Sequence, residues 1–378
     1  MPLDFDSLRR WPDVEAPDLL ASDAADRLIL DESAPFRAGL GDGALAIIGD
    51  SYGALTLGAA DDGATGIRVH QDALSGEGAL DANAYAADLD DRYRSFDLVP
   101  ELVAGAEVVL VRLPRSLDAL ADIADLIARH AAPGVVVIAG GRLKHMTIAM
   151  NEVLERSFGR LDVSLARQKS RVLIAREPRE LDPYERVRTA HHDSPLGPVE
   201  VCAVGGVFAG DSIDIGTRFL LENLPTTIPG DRAVDFACGT GVIGAALALR
   251  HPSLVVVASD QSAAAVVSAR ATVAANGLEG RMTVERDDGL SLLADASESF
   301  IVLNPPFHVG AAVTGEIAPK LFAEAGRVLA PGGQLWAVWN TPMGYRAALN
   351  DLVGPTRQVA RNTKFTVTVS ERRERLEV

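Results

Sequence analysis

The apolar run Phe300-Ile301-Val302-Leu303 ends in Asn304-Pro305-Pro306-Phe307-His308. The two prolines fix φ and donate no N–H, and Pro305 holds Asn304 in extended geometry. The Asn304 side-chain oxygen and the Pro305 carbonyl can then face one donor group, and a planar NH2 has two N–H bonds to give. Accepting both pulls that nitrogen toward tetrahedral geometry and frees its lone pair for attack. Phe307 offers a ring for stacking on the heterocycle that carries the amine. His308 suits a structural or base-edge contact better than a general base. Taken alone, an Asn-Pro-Pro-aromatic run is equally compatible with an ordinary proline turn.

A second constellation changes that balance. In Val234-Asp235-Phe236-Ala237-Cys238-Gly239-Thr240-Gly241-Val242-Ile243-Gly244 a strand enters a glycine turn that opens a helix. Gly239 and Gly241 let backbone approach a ligand, and the helix start offers free N–H groups. The spacing matches the dinucleotide fingerprint formally, which alone is weak evidence. Asp260 follows at the end of the next strand, placed to accept both hydroxyls of a ribose. Asp235 would repel a pyrophosphate beside the loop and attract a cationic amine. The pattern therefore favours S-adenosylmethionine over NAD.

The elements that must position these residues read as repeated strand–helix units. In the second half the strands are Ala233–Phe236, Leu254–Ser259, Met282–Glu285, Phe300–Leu303 and Leu335–Trp339, separated by helices at Val242–Arg250, Ser262–Asn276 and Ile317–Leu329. In the first half Ala44–Ile48, Glu107–Val111 and Val135–Ile138 are buried-strand runs. Ser116–Arg129 has helical periodicity, with Leu117, Leu120, Ile123, Ala124 and Ile127 on one face. Alternating strands and helices imply βαβ sheets, so the expected fold class is α/β, two Rossmann-like domains in tandem. The expected domains are 1–180 and 195–378, joined through a Pro-, charge- and His-rich stretch, Glu177–Pro198, in which His191 and His192 are taken as solvated.

Composition narrows the classes further. The 378 residues are 48% apolar and 23% charged, enough to bury two cores and unlike a disordered chain. No apolar run is long enough to span a membrane, and the acidic start Met1-Pro2-Leu3-Asp4-Phe5-Asp6 does not resemble a secretory signal. Cys202 and Cys238 alone exclude a disulfide framework and a Cys-rich metal centre, and a cytoplasmic location is expected. The net charge of −16 is uneven. Residues 1–141 hold 25 acidic and 10 basic side chains, whereas 142–179 hold four and nine. Global acidity argues against nucleic-acid binding, yet this basic stretch is expected to help hold RNA, with Arg142, Lys144, Arg167, Lys169 and Arg171 as candidates.

Together these residues resemble class I S-adenosylmethionine-dependent methyltransferases that act on planar amines. The Asn304-Pro305-Pro306-Phe307-His308 variant is similar to that of the bacterial ribosomal RNA guanine-N2 methyltransferases. Val207-Phe208, Ile213-Asp214-Ile215-Gly216-Thr217-Arg218 and Asn362-Thr363-Lys364-Phe365 extend the likeness. The resemblance implies an active C-terminal domain after a degenerate N-terminal one, with ribosomal RNA as partner and no metal or membrane. It places Asp214, Gly216 and Thr217 near the methionine end of the cofactor. Asp235, Ala237, Cys238, Gly239 and Gly241 then form the loop beneath it. Asp260 and Gln261 lie at the ribose, and Asp288 and Gly289 at the adenine. Asn304, Pro305, Pro306 and Phe307 meet the target base. Ala237 stands where the family usually has glycine. In the first half, Asp50-Ser51-Tyr52-Gly53-Ala54-Leu55 lacks the Gly-x-Gly, and Arg112-Leu113-Pro114-Arg115 replaces the amine-binding loop; arginine cannot accept a hydrogen bond. The alternatives are a methyltransferase of another amine or amide (protein glutamine, or adenine in DNA or RNA), an NAD-binding oxidoreductase, and a non-catalytic RNA-binding scaffold.

Overall fold

In the computed structural model, which describes residues 3–306 and 317–373, the chain divides between Arg186 and Val187 into two compact units. The strands of the first are β1 (Leu45–Ile48), β2 (Ile67–His70), β3 (Tyr93–Ser95), β4 (Val108–Arg112), β5 (Val136–Arg142), β6 (Phe158–Val163) and β7 (Ser170–Pro178). Among the described residues they form one sheet of order β3-β2-β1-β4-β5-β7-β6, with β7 antiparallel to β5 and β6. Successive β4 residues serve opposite faces. Val108 and Leu110 join the cluster with Leu28, Ile29 and Leu55, while Val109 and Val111 join Leu120, Ala124 and Ile127. Both faces of the sheet are therefore covered, as a parallel sheet flanked by helices requires.

The second unit repeats this plan. After β8 (Arg188–Ser194) and β9 (Gly197–Ala203) come β10 (Arg232–Phe236), β11 (Val255–Asp260), β12 (Met282–Arg286), β13 (Glu298–Leu303), β14 (Leu329–Asn340), β15 (Thr356–Arg361) and β16 (Phe365–Glu371). Their order is β12-β11-β10-β13-β14-β16-β15, the same path through the sheet. The strand order reverses at β10, and ligands of open α/β sheets sit at the carboxyl ends of the strands beside such a reversal.

Two sequence expectations need correction. The stretch around His191 and His192 is not a linker but the first strand of an antiparallel hairpin, β8–β9. Its residues alternate between exposed and half-buried, so charge masks the strand. His191 Nδ1 pairs with Glu200 (2.8 Å), and His192 Nε2 meets the Asp211 carbonyl (2.6 Å). The hairpin is tied to the helix Ala263–Ala275 and its C-cap. Ser268 Oγ, Thr272 Oγ1 and Asn276 Oδ1 accept from the N–H groups of Val204, Cys202 and Glu200. A unit beginning at 195 would cut this hairpin after β8. The expected strand Leu335–Trp339 is also only the later part of the twelve-residue β14.

Candidate active site at the carboxyl edge of the second sheet

The glycine turn follows β10. Asp235, the strand's penultimate residue, is fully buried, and its Oδ2 accepts the Gly244 N–H (2.8 Å) in the first turn of the helix Val242–Arg250. Burial in this apolar surrounding pushes its pKa up to about 8, against which the Gly244 N–H acts; the Asp260 charge adds to the rise. Its Oδ1 has no hydrogen-bond partner among the described residues. The unfolded chain ionises this carboxyl near pH 4, whereas the folded chain keeps its proton to about pH 8. Between those values the native state binds more protons, so Asp235 makes stability fall as pH rises. Asp235→Asn, which stays neutral and keeps an acceptor for Gly244, is expected to flatten that dependence. Denaturant titration at pH 5 and pH 9 checks this: the variant should gain on the wild type at the higher pH.

The three glycines of the loop do different work. Gly239, at φ +56°, has open space where a side chain would project. Gly241, at φ +72°, would bring a Cβ to 3.0 Å from the Ala269 Cβ, and Gly244 would bring one to 2.8 Å from the Met282 Cε. Gly239 thus leaves space open above the loop, while Gly241 and Gly244 answer to packing. Ala237 adopts φ +52°, the left-handed region that costs a non-glycine residue about 1–2 kcal/mol, which accounts for glycine as the usual choice there. The Cys238 side chain points into the core, where burial pushes its thiol pKa up, so only its backbone can face a ligand.

Asp260, ending β11, is tied to the same loop. Its Oδ2 accepts the Gly239 N–H (2.9 Å), and its Oδ1 the Ser262 N–H (2.9 Å). The carboxylate is held still at the rim of the open space over Gly239. Gln261 follows it, half-buried, its carbonyl accepting from Arg286 Nε (3.4 Å). Asp288 is ion-paired with Lys320 at 2.8 Å, and the Gly289 carbonyl accepts from Ser259 Oγ (3.1 Å).

On the other side of β10 lies β13, whose Leu303 pairs with Phe236 and delivers Asn304 to the same edge. Asp214 caps the helix Ile215–Asn223 by accepting the N–H groups of Gly216 (2.8 Å) and Thr217 (3.3 Å). That cap presents the Thr217 hydroxyl, which accepts from Asn304 Nδ2 at 3.0 Å. The amide is thereby turned so that Oδ1 is buried, without a partner among the described residues, and available as an acceptor. Gly216 admits Phe365 at the start of β16: a Cβ there would lie 2.9 Å from the ring. The resemblance places Thr217 near the methionine end of the cofactor; its bond to Asn304, 87 residues away, has no local signal in the sequence. Phe307 and His308 lie outside the described residues.

The first unit carries other residues at the equivalent positions. Ile48 pairs with Val111 as Phe236 pairs with Leu303, which sets Arg112 in the place of Asn304. The third residues past the two helix caps, Asp26 and Thr217, also correspond. Where the second unit has a hydroxyl–amide bond, the first has an ion pair, Arg112 with Asp26, reinforced by Asp23 at 2.7 Å. Register likewise puts Gln71 at the Asp260 position and Ile47 at the Asp235 position. Gln71 Nε2 is bonded to the Asp50 carbonyl, and the Asp50 carboxylate caps Thr56 (2.8 Å). The chain start closes the loop: Tyr52 donates to Asp13 (2.7 Å), and Arg10 lies 4.4 Å from the Tyr52 ring centre. At these four positions, and in this cover over the loop, the first unit departs from the second.

Fold and site define two methyltransferase domains in tandem. The model of the methyltransferase small domain matches residues 198–369, and that of the RLMG N-terminal domain matches residues 3–179. The chain is 36% identical over 372 residues to ribosomal RNA large subunit methyltransferase G of Streptomyces avermitilis, covering 96% of this chain and 95% of the relative. It is 35% identical over 364 residues to the protein of that name from Pseudomonas aeruginosa PAO1, covering 95% and 96%. The chain belongs to the ribosomal RNA large subunit methyltransferase G family. Its fold is also that of an N2 methyltransferase of 16S rRNA from T. thermophilus, solved with AdoMet and guanosine; the TM-score is 0.76 at 21% identity, covering 93% of this chain and 92% of that one.

Proposed function

We infer that this protein transfers a methyl group from S-adenosylmethionine to the exocyclic N2 amine of a guanine in large-subunit ribosomal RNA. The observation that carries the reading is the pair of buried oxygens without hydrogen-bond partners among the described residues, Asp235 Oδ1 and Asn304 Oδ1, at the ends of adjacent strands. Buried polar atoms are rarely left unmatched, so each points to a missing donor. They fit a cofactor bearing an ammonium group, whose charge would draw Asp235 into its ionised form, and a substrate bearing an amine. Gly239, Asp260 and Asp288 line the side where the nucleoside end of the cofactor would lie. When bound, S-adenosylmethionine supplies an activated methyl group on a sulfonium.

The chain's own residues do the rest by position. A guanine must leave its stack to reach Asn304, which costs a few kcal/mol. Asn304 Oδ1 and the Pro305 carbonyl accept its two N–H bonds, turn the nitrogen lone pair toward the methyl group and become better partners as the nitrogen turns tetrahedral. Rate then comes mainly from orientation. Thr217 fixes that orientation, so Thr217→Val is expected to lower kcat about tenfold with KM little changed, and Thr217→Ser to restore it. Single-turnover transfer with both variants tests this.

The function itself is tested by incubating the protein with labelled cofactor and unmodified ribosomal RNA, then identifying the product nucleoside by mass spectrometry. N2-methylguanosine is the expected product. A methylated adenosine, or label in protein, would select one of the alternative methyltransferase readings.

A further inference from the structure

The turn between β15 and β16 takes no part in the reaction above, yet it is fixed from three sides. Asn362 Oδ1 accepts the N–H groups of Lys364 (2.8 Å) and Phe365 (2.7 Å), as asparagine does in tight turns. The Thr341 N–H, just past β14, donates to the Lys364 carbonyl (2.8 Å). The Phe365 ring fills the space that Gly216 leaves, at the helix start whose Thr217 holds Asn304. The turn and the amine-binding amide are thus fastened to one helix.

What the turn presents is an exposed cation. Lys364 has no ion pair and no side-chain hydrogen bond among the described residues. Lys320, by contrast, is paired with Asp288, and Arg218 donates to the Asp193 carbonyl (3.1 Å). The same edge carries the carboxylates of Asp214, Asp260 and Asp288, which repel an RNA strand charged at every nucleotide. Register fixes how far the cation stands from the reaction. Leu303 pairs with Ala337, so Asn304 is level with Val338, which pairs with Val367. Lys364 is therefore two strands across and three residues along from Asn304, about 14 Å between backbones at the usual spacings. Two side chains reach into that gap from its ends. The remaining span is that of a guanosine from its exocyclic amine to its own phosphate.

We propose that Lys364 anchors the target nucleotide in the catalytic unit, holding the phosphate of the same guanosine whose amine Asn304 accepts. The contact rests on the methyltransferase reading above and lies within that site. With the base out of its stack, the nucleotide is held at two ends, at its amine by Asn304 and at its phosphate by Lys364. A hydrogen bond at one end and a charge at the other turn the ring into the line of transfer. A guanosine without that phosphate is held at one end.

The test uses the full chain and three small probes: guanosine, guanosine 5′-monophosphate and guanosine 3′-monophosphate. Each is titrated as an inhibitor of methyl transfer to unmodified ribosomal RNA. One of the two nucleotides should bind wild type about tenfold tighter than guanosine, the gain of one charge-assisted bond. Which one does so tells whether the 5′ or the 3′ phosphate is held. Lys364→Gln should erase that difference and leave guanosine itself unchanged, and Lys364→Arg should keep it. In parallel, the slope of log KM for RNA against log salt should fall by about 0.7–0.9 in Lys364→Gln, the loss of one phosphate contact. Arg357→Gln removes another exposed cation, near the start of β15, and should keep the slope. Cofactor affinity should stay at the wild-type level in all three variants. A nucleotide preference that survives Lys364→Gln, or an unchanged slope, overturns the contact. So does an equal loss of slope in Arg357→Gln, which would mark general attraction instead of an anchor. If none of the probes inhibits wild type, the slopes decide. If wild type transfers no methyl to ribosomal RNA, the methyltransferase reading fails and the contact with it; a methylating wild type puts only the contact at stake.

Discussion

Asn304→Ala is expected to slow methyl transfer by about a hundredfold to a thousandfold, the loss typical of removing one preorganised polar partner from a reacting centre. Cofactor affinity should stay within a few-fold. The reason is a division of labour along one sheet edge. Asp235, Gly239 and Asp260 belong to β10, β11 and the turn between them, whereas Asn304 ends β13 and is held by Thr217 through its Nδ2 at 3.0 Å. Truncation removes Oδ1, whose interaction with the amine strengthens as nitrogen becomes tetrahedral. The loss therefore appears in turnover rather than binding. The measurement is single-turnover transfer to unmodified ribosomal RNA with cofactor titration alongside. A near wild-type rate would show that the reaction happens elsewhere and would remove the guanine-N2 reading with it.

The comparison of the two units shows what a linear reading can see. The loop Val234–Gly244 was legible because everything that makes it a cradle is local: a strand, a glycine turn and a helix start within eleven residues. The helix Val242–Arg250 was found to the residue. The divergence of the first unit was legible at Arg112 for a chemical reason, since guanidinium has no acceptor. Its structural replacement was not, because Arg112 finds Asp26 and Asp23 from 86 and 89 residues away. Thr217 and Asn304 are likewise 87 residues apart, and only the folded sheet and the Asp214 cap bring them together. The hairpin β8–β9 was hidden because its polar residues face outward in alternation and read as a linker. Only tertiary packing separates Gly239, which faces open space, from Gly241, which faces Ala269, so the sequence treats the two alike.

Asp260→Ala is expected to weaken S-adenosylmethionine binding by an order of magnitude or more. A carboxylate accepting from ribose hydroxyls contributes about 1.5–3 kcal/mol in charge-assisted bonds, which is about a tenfold to hundredfold change in affinity. The structure adds a second route to the same loss. Asp260 also holds the Gly239 N–H at 2.9 Å and the Ser262 N–H at 2.9 Å, so truncation loosens the part of the loop that faces open space. Asp260→Asn separates the two routes. The amide keeps one acceptor for the Gly239 N–H and loses the charge, so its affinity should fall between wild type and Asp260→Ala. Calorimetry on the full chain reads affinity and stoichiometry together. Wild type should bind one cofactor per chain, because Gln71 occupies the equivalent position in the first unit with its amide committed to the Asp50 carbonyl. The whole of that binding should weaken in Asp260→Ala. Unchanged affinity would sink the ribose assignment, and a second cofactor per chain, untouched by the substitution, would show that the first unit still holds a working cradle.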